Sequence, residues 1–138
     1  MVADRLLLDT FFVLALLNAD DEHHARAKPF LSRVRTASEV VVTEAVILEI
    51  GNGLSDKNRA GAVEFIRSCY TTSNITVVNV DTPLLNRAID LYDRSRDKTW
   101  GLTDCISFVV MNDRGLQFAL TGDRDFKQAG FVALMLDP

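Results

Sequence analysis

The chain has 138 residues, of which 48% are hydrophobic and 25% charged. That is the make-up of an ordinary globule with room for its own core, not of a disordered tail. Its 15 Lys and Arg against 19 Asp and Glu leave a net charge of −4, which excludes a surface that traps nucleic acid by positive charge everywhere. Two cysteines, Cys69 and Cys105, provide neither a disulfide framework nor the ligand spacing of a zinc site, and suit a reducing compartment.

At the N-terminus, Arg5 and the apolar residues from Leu6 to Leu17 imitate the charged and apolar regions of a secretory leader. Asp9 interrupts that run, and Asn18-Ala19-Asp20-Asp21-Glu22 follows where a cleavage site of small residues belongs. The stretch reads instead as a buried strand, Leu6–Leu8, entering a core helix over 10–17. No apolar run reaches the roughly 20 residues of a membrane span, so a soluble, cytoplasmic protein is expected. The acidic run at 20–22 suits a helix N-terminus, and Glu22–Arg35 carries helical spacing with a basic end. Val40–Val42 is a second inner strand. Thr43 caps a helix that starts at Glu44 and stops at Gly51-Asn52-Gly53, and an amphipathic helix follows over Arg59–Tyr70.

Thr76–Val78 is a third strand. Asp81-Thr82-Pro83 opens a helix to about Tyr92, with proline where the helix tolerates it. Arg94–Leu102 is a polar, basic connection that holds the single Trp. Thr103 is read as the cap of a helix over Asp104–Asp113, followed by a strand at Gln117–Thr121, a short helix at Asp123–Gln128 and a last strand at Phe131–Leu136. Strands alternating with helices predict an α/β fold in one domain, 1–138, with a mainly parallel central sheet of about five strands and helices on both faces. Ligands of such sheets bind at the edge where the strands end.

That edge is where the acids fall. Asp9 ends the first strand and Asp123 follows the fourth, so parallel strands bring both to one side. Glu49 lies among aliphatic residues on a helix whose stripe of Ala45, Leu48, Glu49 and Asn52 is expected to face the sheet. Asp104 heads an apolar helix. Singly, Asp104 is accounted for by the helix dipole and Asp123 by an Asx turn. Asp9 and Glu49 have no such explanation, since strands are depleted in Asp and Glu49 is mid-helix with nothing to cap. Two carboxylates about 6 Å apart repel by roughly 2–3 kcal/mol at an effective dielectric of about 20, so four in one pocket call for divalent cations. Mg²⁺ and Mn²⁺ prefer oxygen ligands, and such ions promote phosphodiester hydrolysis.

In order along the chain, Leu-Leu-Asp9-Thr10, the Asn18-to-His24 stretch before a helix, Val-Ile-Leu-Glu49-Ile-Gly-Asn-Gly-Leu, Leu-Thr-Asp104-Cys-Ile-Ser-Phe and Thr-Gly-Asp123-Arg-Asp125-Phe resemble the PIN-domain ribonucleases, above all the VapC-type toxins of toxin–antitoxin pairs. The resemblance covers nearly the whole chain. It implies Mg²⁺- or Mn²⁺-dependent endonucleolytic cleavage of RNA, a homodimer, and inhibition by a cognate antitoxin. It also implies that Asp9, Glu49, Asp104 and Asp123 are the acidic catalytic and metal-site residues, with Asp125 auxiliary or an alternative to Asp123. Phe11 is a departure, standing where many members carry a small polar residue. Asp9 and Asp104 are the first choices as direct ligands, and Glu49 and Asp123 would ligate directly or through water. Thr121 is placed to hydrogen-bond a carboxylate or a phosphate.

For RNA, Arg94, Arg96 and Lys98 offer charge beside the ring of Trp100, with Arg124 as a further phosphate contact; a solvated loop with Trp100 packed inward, and a surface salt bridge at Arg124, are the structural alternatives. His23-His24 lacks the spacing of a helical zinc pair and reads as a helix start. Two rival functions share the acidic pocket. A phosphoacceptor signalling domain would pair acids after the first strand and place a Lys after a late one, which this chain does not. A non-catalytic binding module would keep the acids without responding to metal.

Overall fold

The computed structural model describes residues 4–136. Five strands form one sheet in the order β3-β2-β1-β4-β5, with every neighbouring pair parallel. They are β1 (Arg5–Leu8), β2 (Glu39–Thr43), β3 (Ile75–Val78), β4 (Phe118–Leu120) and β5 (Val132–Ala133). Around them run α1 (Thr10–Leu17), α2 (His24–Ala27), α3 (Leu31–Thr36), α4 (Glu44–Gly53), α5 (Arg59–Thr71), α6 (Thr82–Arg94), α7 (Leu102–Arg114) and α8 (Arg124–Gln128).

The central strands are apolar throughout because both faces are covered. Leu6 and Leu8 of β1 and Val40 and Val42 of β2 point into a core shared with Phe12 and Val13 of α1, Val46 and Ile50 of α4 and Ala62 of α5. The alternate residues Leu7, Val41 and Ala119 point the other way, onto Phe108 and Met111 of α7 and Phe126 of α8. No helix among the described residues is long and apolar enough to cross a membrane.

Local chemistry moves several expected boundaries. The helix read over Glu22–Arg35 is broken into α2, a 3₁₀ turn at Lys28–Phe30 and α3, because Pro29 has no N–H to continue the ladder. Its acidic prelude makes a turn instead, with Asp21 Oδ1 accepting from the His23 N–H at 2.8 Å. Thr103 does not cap α7. That helix begins two residues earlier than expected, at Leu102, with Gly101 before it; the Asp104 carboxylate reaches back to the Gly101 N–H at 3.0 Å and occupies the third helical position. Thr43 does cap α4, accepting from the Val46 N–H. The last strand is short, since the chain turns after Ala133 with the Leu136 N–H bonded to the Ala133 carbonyl.

From β1 the chain moves outward to β2 and β3, then returns to place β4 on the other side of β1. Between β1 and β4 the direction of winding reverses, and the segments leaving their C-terminal ends diverge to opposite faces: α1 packs on one core and α8 on the other. A parallel sheet opens a crevice at such a reversal, and Asp9 and Thr121 directly follow the two strands that border it. Phe11 closes one flank, its ring lying against Gly122 so that a Cβ added there would meet Cε1 at 2.5 Å. The unusual aromatic at position 11 and the glycine at 122 are therefore one packing solution. Gly122→Ala is expected to destabilise the protein by about 1–3 kcal/mol. Combined with Phe11→Ala it should cost clearly less than the two single changes together, as measured by denaturant unfolding in a double-mutant cycle.

Candidate metal centre

Asp9 directly follows β1, and its side chain is 5% exposed. Thr121, fully buried at the end of β4, holds it from the neighbouring strand: the Thr121 hydroxyl donates to Asp9 Oδ2 at 2.7 Å and accepts from the Asp123 N–H at 3.0 Å. One hydroxyl thus ties together the two chain segments that flank the crevice. Asp123 in turn caps α8, its Oδ1 accepting from the Asp125 N–H at 2.9 Å. Asp125 Oδ1 accepts from the Thr99 hydroxyl at 3.2 Å.

Asp104 approaches from α7. It, Asp123 and Asp125 each offer a carboxylate oxygen, and these oxygens lie within 4.8 Å of one another. Asp104 and Asp123 each accept a backbone N–H with one oxygen; no backbone bond to the second oxygen of either is observed among the described residues. The helix-start role read for each residue is therefore met by one oxygen, and it does not exclude a ligand role for the carboxylate. Asp123 and Asp125, the two alternatives after β4, both offer an oxygen to the cluster.

The crowding has an electrostatic signature. Burial pushes Asp9 up to about 7, aided by the charges of Asp104 and Asp123 and opposed by the Thr121 hydrogen bond. Burial likewise raises Asp104 to about 6, with Asp123, Asp125 and Glu49 adding to the effect and the Gly101 N–H opposing it. Asp123 is raised for the same principal reason. Carboxylates this close and this dry cannot all ionise cheaply without a cation. A set of oxygen donors with free lone pairs at such spacing fits a hard divalent ion.

Glu49 enters differently from its expected place. The face of α4 that meets the sheet is Val46, Ile47 and Ile50, and Leu48 and Glu49 are exposed. Of the two stripes that the helical period allows, the wholly aliphatic one is buried. Glu49 still reaches the rim of the site, where its Oε1 accepts from the Thr10 hydroxyl at 2.7 Å and its charge is felt by Asp104. Glu44 has a structural job, accepting from the Val80 N–H at 2.8 Å.

The basic connection is less free than its sequence suggests. Arg96 is bonded to Asp93, and Lys98 to Asp97 at 2.9 Å. Arg94 is exposed. Trp100 is packed edge-on against Phe108, ring centroids 5.0 Å apart, and donates from Nε1 to Gln128 Oε1 at 2.9 Å. Arg124 is exposed and makes no ion pair among the described residues. Thr99 and Gly101, which hold Asp125 and Asp104, were not legible as site residues, since a connection without periodicity gives no facing direction.

These shifts make stability depend on pH in a stated direction. Carboxyls raised in the folded state bind protons more tightly there than in the unfolded chain. Their contribution is complete below about pH 4 and is lost as pH rises through the interval to about 7, the raised value of Asp9. Metal-free protein should therefore lose stability across that interval, and Mn²⁺ should restore it at pH 7 and above. Asp9→Asn keeps an acceptor for Thr121 and should raise metal-free stability at pH 7.5 by about 1–3 kcal/mol while weakening the response to Mn²⁺. Thermal unfolding in chelator and in Mn²⁺ measures both effects.

The PIN domain family matches residues 6–132. The chain is 29% identical over 131 residues to a 23S rRNA-specific endonuclease, VapC20, of Mycobacterium tuberculosis, spanning 92% of this chain and 95% of the relative. It also superposes on the crystal structure of M. tuberculosis VapC20, described as a sarcin-ricin loop cleaving toxin. The TM-score is 0.82 at 28% identity, covering 92% of this chain and 96% of the other. FitAcB from Neisseria gonorrhoeae shares the fold at a TM-score of 0.59 and 16% identity, over 93% and 94% of the two chains. With a family match over almost all of its length and an acidic crevice at the switch point of a parallel sheet, the chain belongs to the PIN-domain family.

Proposed function

We propose that this chain is an endoribonuclease that cleaves RNA phosphodiester bonds with Mg²⁺ or Mn²⁺, and that it is the toxin of a type II toxin–antitoxin pair. The observation that carries the reading is the convergence of Asp104, Asp123 and Asp125 to within 4.8 Å beside the buried Asp9. The RNA substrate is taken from the activity named for the M. tuberculosis relative.

In this reading Asp104 and Asp123 would hold the ion, with Asp9 and Asp125 completing the site. Bound divalent cations supply a nucleophile at neutral pH and charge for the leaving oxygen. Thr121 keeps Asp9 aimed into the crevice and fixes the turn that carries Asp123. Glu49, held by Thr10, sits at the rim, placed to act through water. The same ions would let an acidic protein accept a polyanion. A cognate antitoxin and a second copy of the chain are the proposed protein partners. Leu48 and Tyr70, 68% and 59% exposed, edge a groove of about 400 Å³ over α4 and α5 that offers them apolar surface. The proposed compartment is the cytoplasm.

Purified protein incubated with structured and single-stranded RNA should cleave in Mn²⁺ and stop on chelation. Asp104→Asn should lower the rate by about 10²-fold or more, the worth of several kcal/mol of charge stabilisation. Cleavage indifferent to chelator and to Asp104→Asn would overturn the reading. Thr121→Val should weaken Mn²⁺ binding by about 10–100-fold, and Thr121→Ser should retain most of it; calorimetric titration of the two variants separates the hydroxyl's role from that of the methyl.

A further inference from the structure

Beside the acidic cluster lies a groove of about 690 Å³ formed by the end of α6 and the connection to α7, within the ~300–1,000 Å³ range of small-ligand pockets. Tyr92 and Trp100 line it, together with Asp90, Asp93, Arg96 and Lys98. Its two acids and two bases cancel, and both bases are already engaged, Arg96 by Asp93 and Lys98 by Asp97. A phosphate would find little unpaired positive charge there. Two aromatic side chains in a neutral cleft suit the flat, uncharged face of a nucleobase.

The walls are prepared for it. Trp100 is fixed from two sides by Phe108 and Gln128, so little rotamer freedom remains to be lost on binding. Tyr92 is half exposed on the groove wall. The groove also adjoins the cluster directly. Thr99, one of its lining residues, donates to Asp125 Oδ1 at 3.2 Å, and Asp125 shares the 4.8 Å cluster with Asp104 and Asp123.

We propose that the groove walled by Tyr92 and Trp100 takes an unpaired RNA base from a nucleotide next to the scissile phosphate. The inference rests on the endoribonuclease reading and gives it a substrate form: RNA whose bases are splayed out at the cut, in a loop or single strand. A base paired and stacked in a duplex presents only its edge and cannot enter.

Trp100 is the only tryptophan of the chain, so its fluorescence reports on the groove alone. With Ca²⁺ supplying the charge in place of Mg²⁺, a short single-stranded RNA of mixed sequence should quench it saturably, and the same strand annealed to its complement should not. Tyr92→Ala should weaken that binding about five- to a hundredfold and, in Mn²⁺, raise KM by a similar factor with kcat unchanged; Tyr92→Phe should behave as wild type. No quench, equal quench by the duplex, or unchanged affinity in Tyr92→Ala would overturn the inference. Cleavage in Mn²⁺ without a quench removes the groove and leaves the nuclease. A quench without any cleavage removes the nuclease and leaves a single-strand binding site.

Discussion

A hydroxyl with no exposure to water organises the centre of this protein. Thr121 donates to Asp9 and accepts from the Asp123 backbone, and in doing so fixes the two strand ends whose divergence opens the crevice. Without that donor, Asp9 would be a buried carboxylate among other carboxylates, the arrangement that electrostatics penalises most. With it, one oxygen is satisfied and the residue is aimed. The same economy governs Asp104 and Asp123. Each satisfies one oxygen on a helix-start N–H, which fixes its rotamer, and no backbone bond to the other is observed among the described residues. Preorganisation at this site is achieved with backbone groups and one threonine, and it uses the same bonds that start α7 and α8.

How much of this the sequence discloses depends on whether a residue's direction follows from local periodicity. Asp9 was legible because an acid at the end of an apolar strand has few other reasons to be there. Leu6–Leu8 and Val40–Val42 announce a sheet covered on both faces, which makes its parallel pairing and the edge that gathers the acids deducible. Glu49 was legible as unusual but not as to its facing, because α4 carries two stripes one helical step apart and only packing decides which is buried. Asp104 lies at the helix start that its sequence context predicts, but Thr103 is not the cap, since the bond runs backwards from the Asp104 side chain to the Gly101 N–H. The helical spacing of Glu22–Arg35 carries no sign of the break, which comes from Pro29, a residue with no N–H to donate. Thr99 could not have been found, because its importance is a tertiary contact made from a segment with no repeat.

The basic connection teaches the opposite lesson. Arg94, Arg96 and Lys98 beside Trp100 read as a phosphate-binding strip when charges are counted along the chain. In space, Asp93 and Asp97 neutralise two of them, and Trp100 is held by Phe108 and Gln128, closer to the inward-packed alternative than to a free stacking ring. Net charge along a segment says little about free charge when acids alternate with bases. What survives is not a cationic surface but a neutral aromatic cleft.

These two features bear on how an acidic protein recognises a polyanion. Proteins that rely on lysine and arginine draw affinity from counterion release, indifferent to base and conformation. Here the positive charge would come from cations held at one point, which places a phosphate but reads nothing about the nucleotides around it. Selectivity must then come from groups that touch bases, and the cleft of Tyr92 and Trp100 is the surface adjoining the carboxylates with the chemistry to do so. Dividing the task this way, with charge concentrated at the reacting bond and aromatic contact beside it, makes a splayed base a source of binding affinity next to the phosphate. A nuclease so built discriminates by RNA shape before it discriminates by sequence.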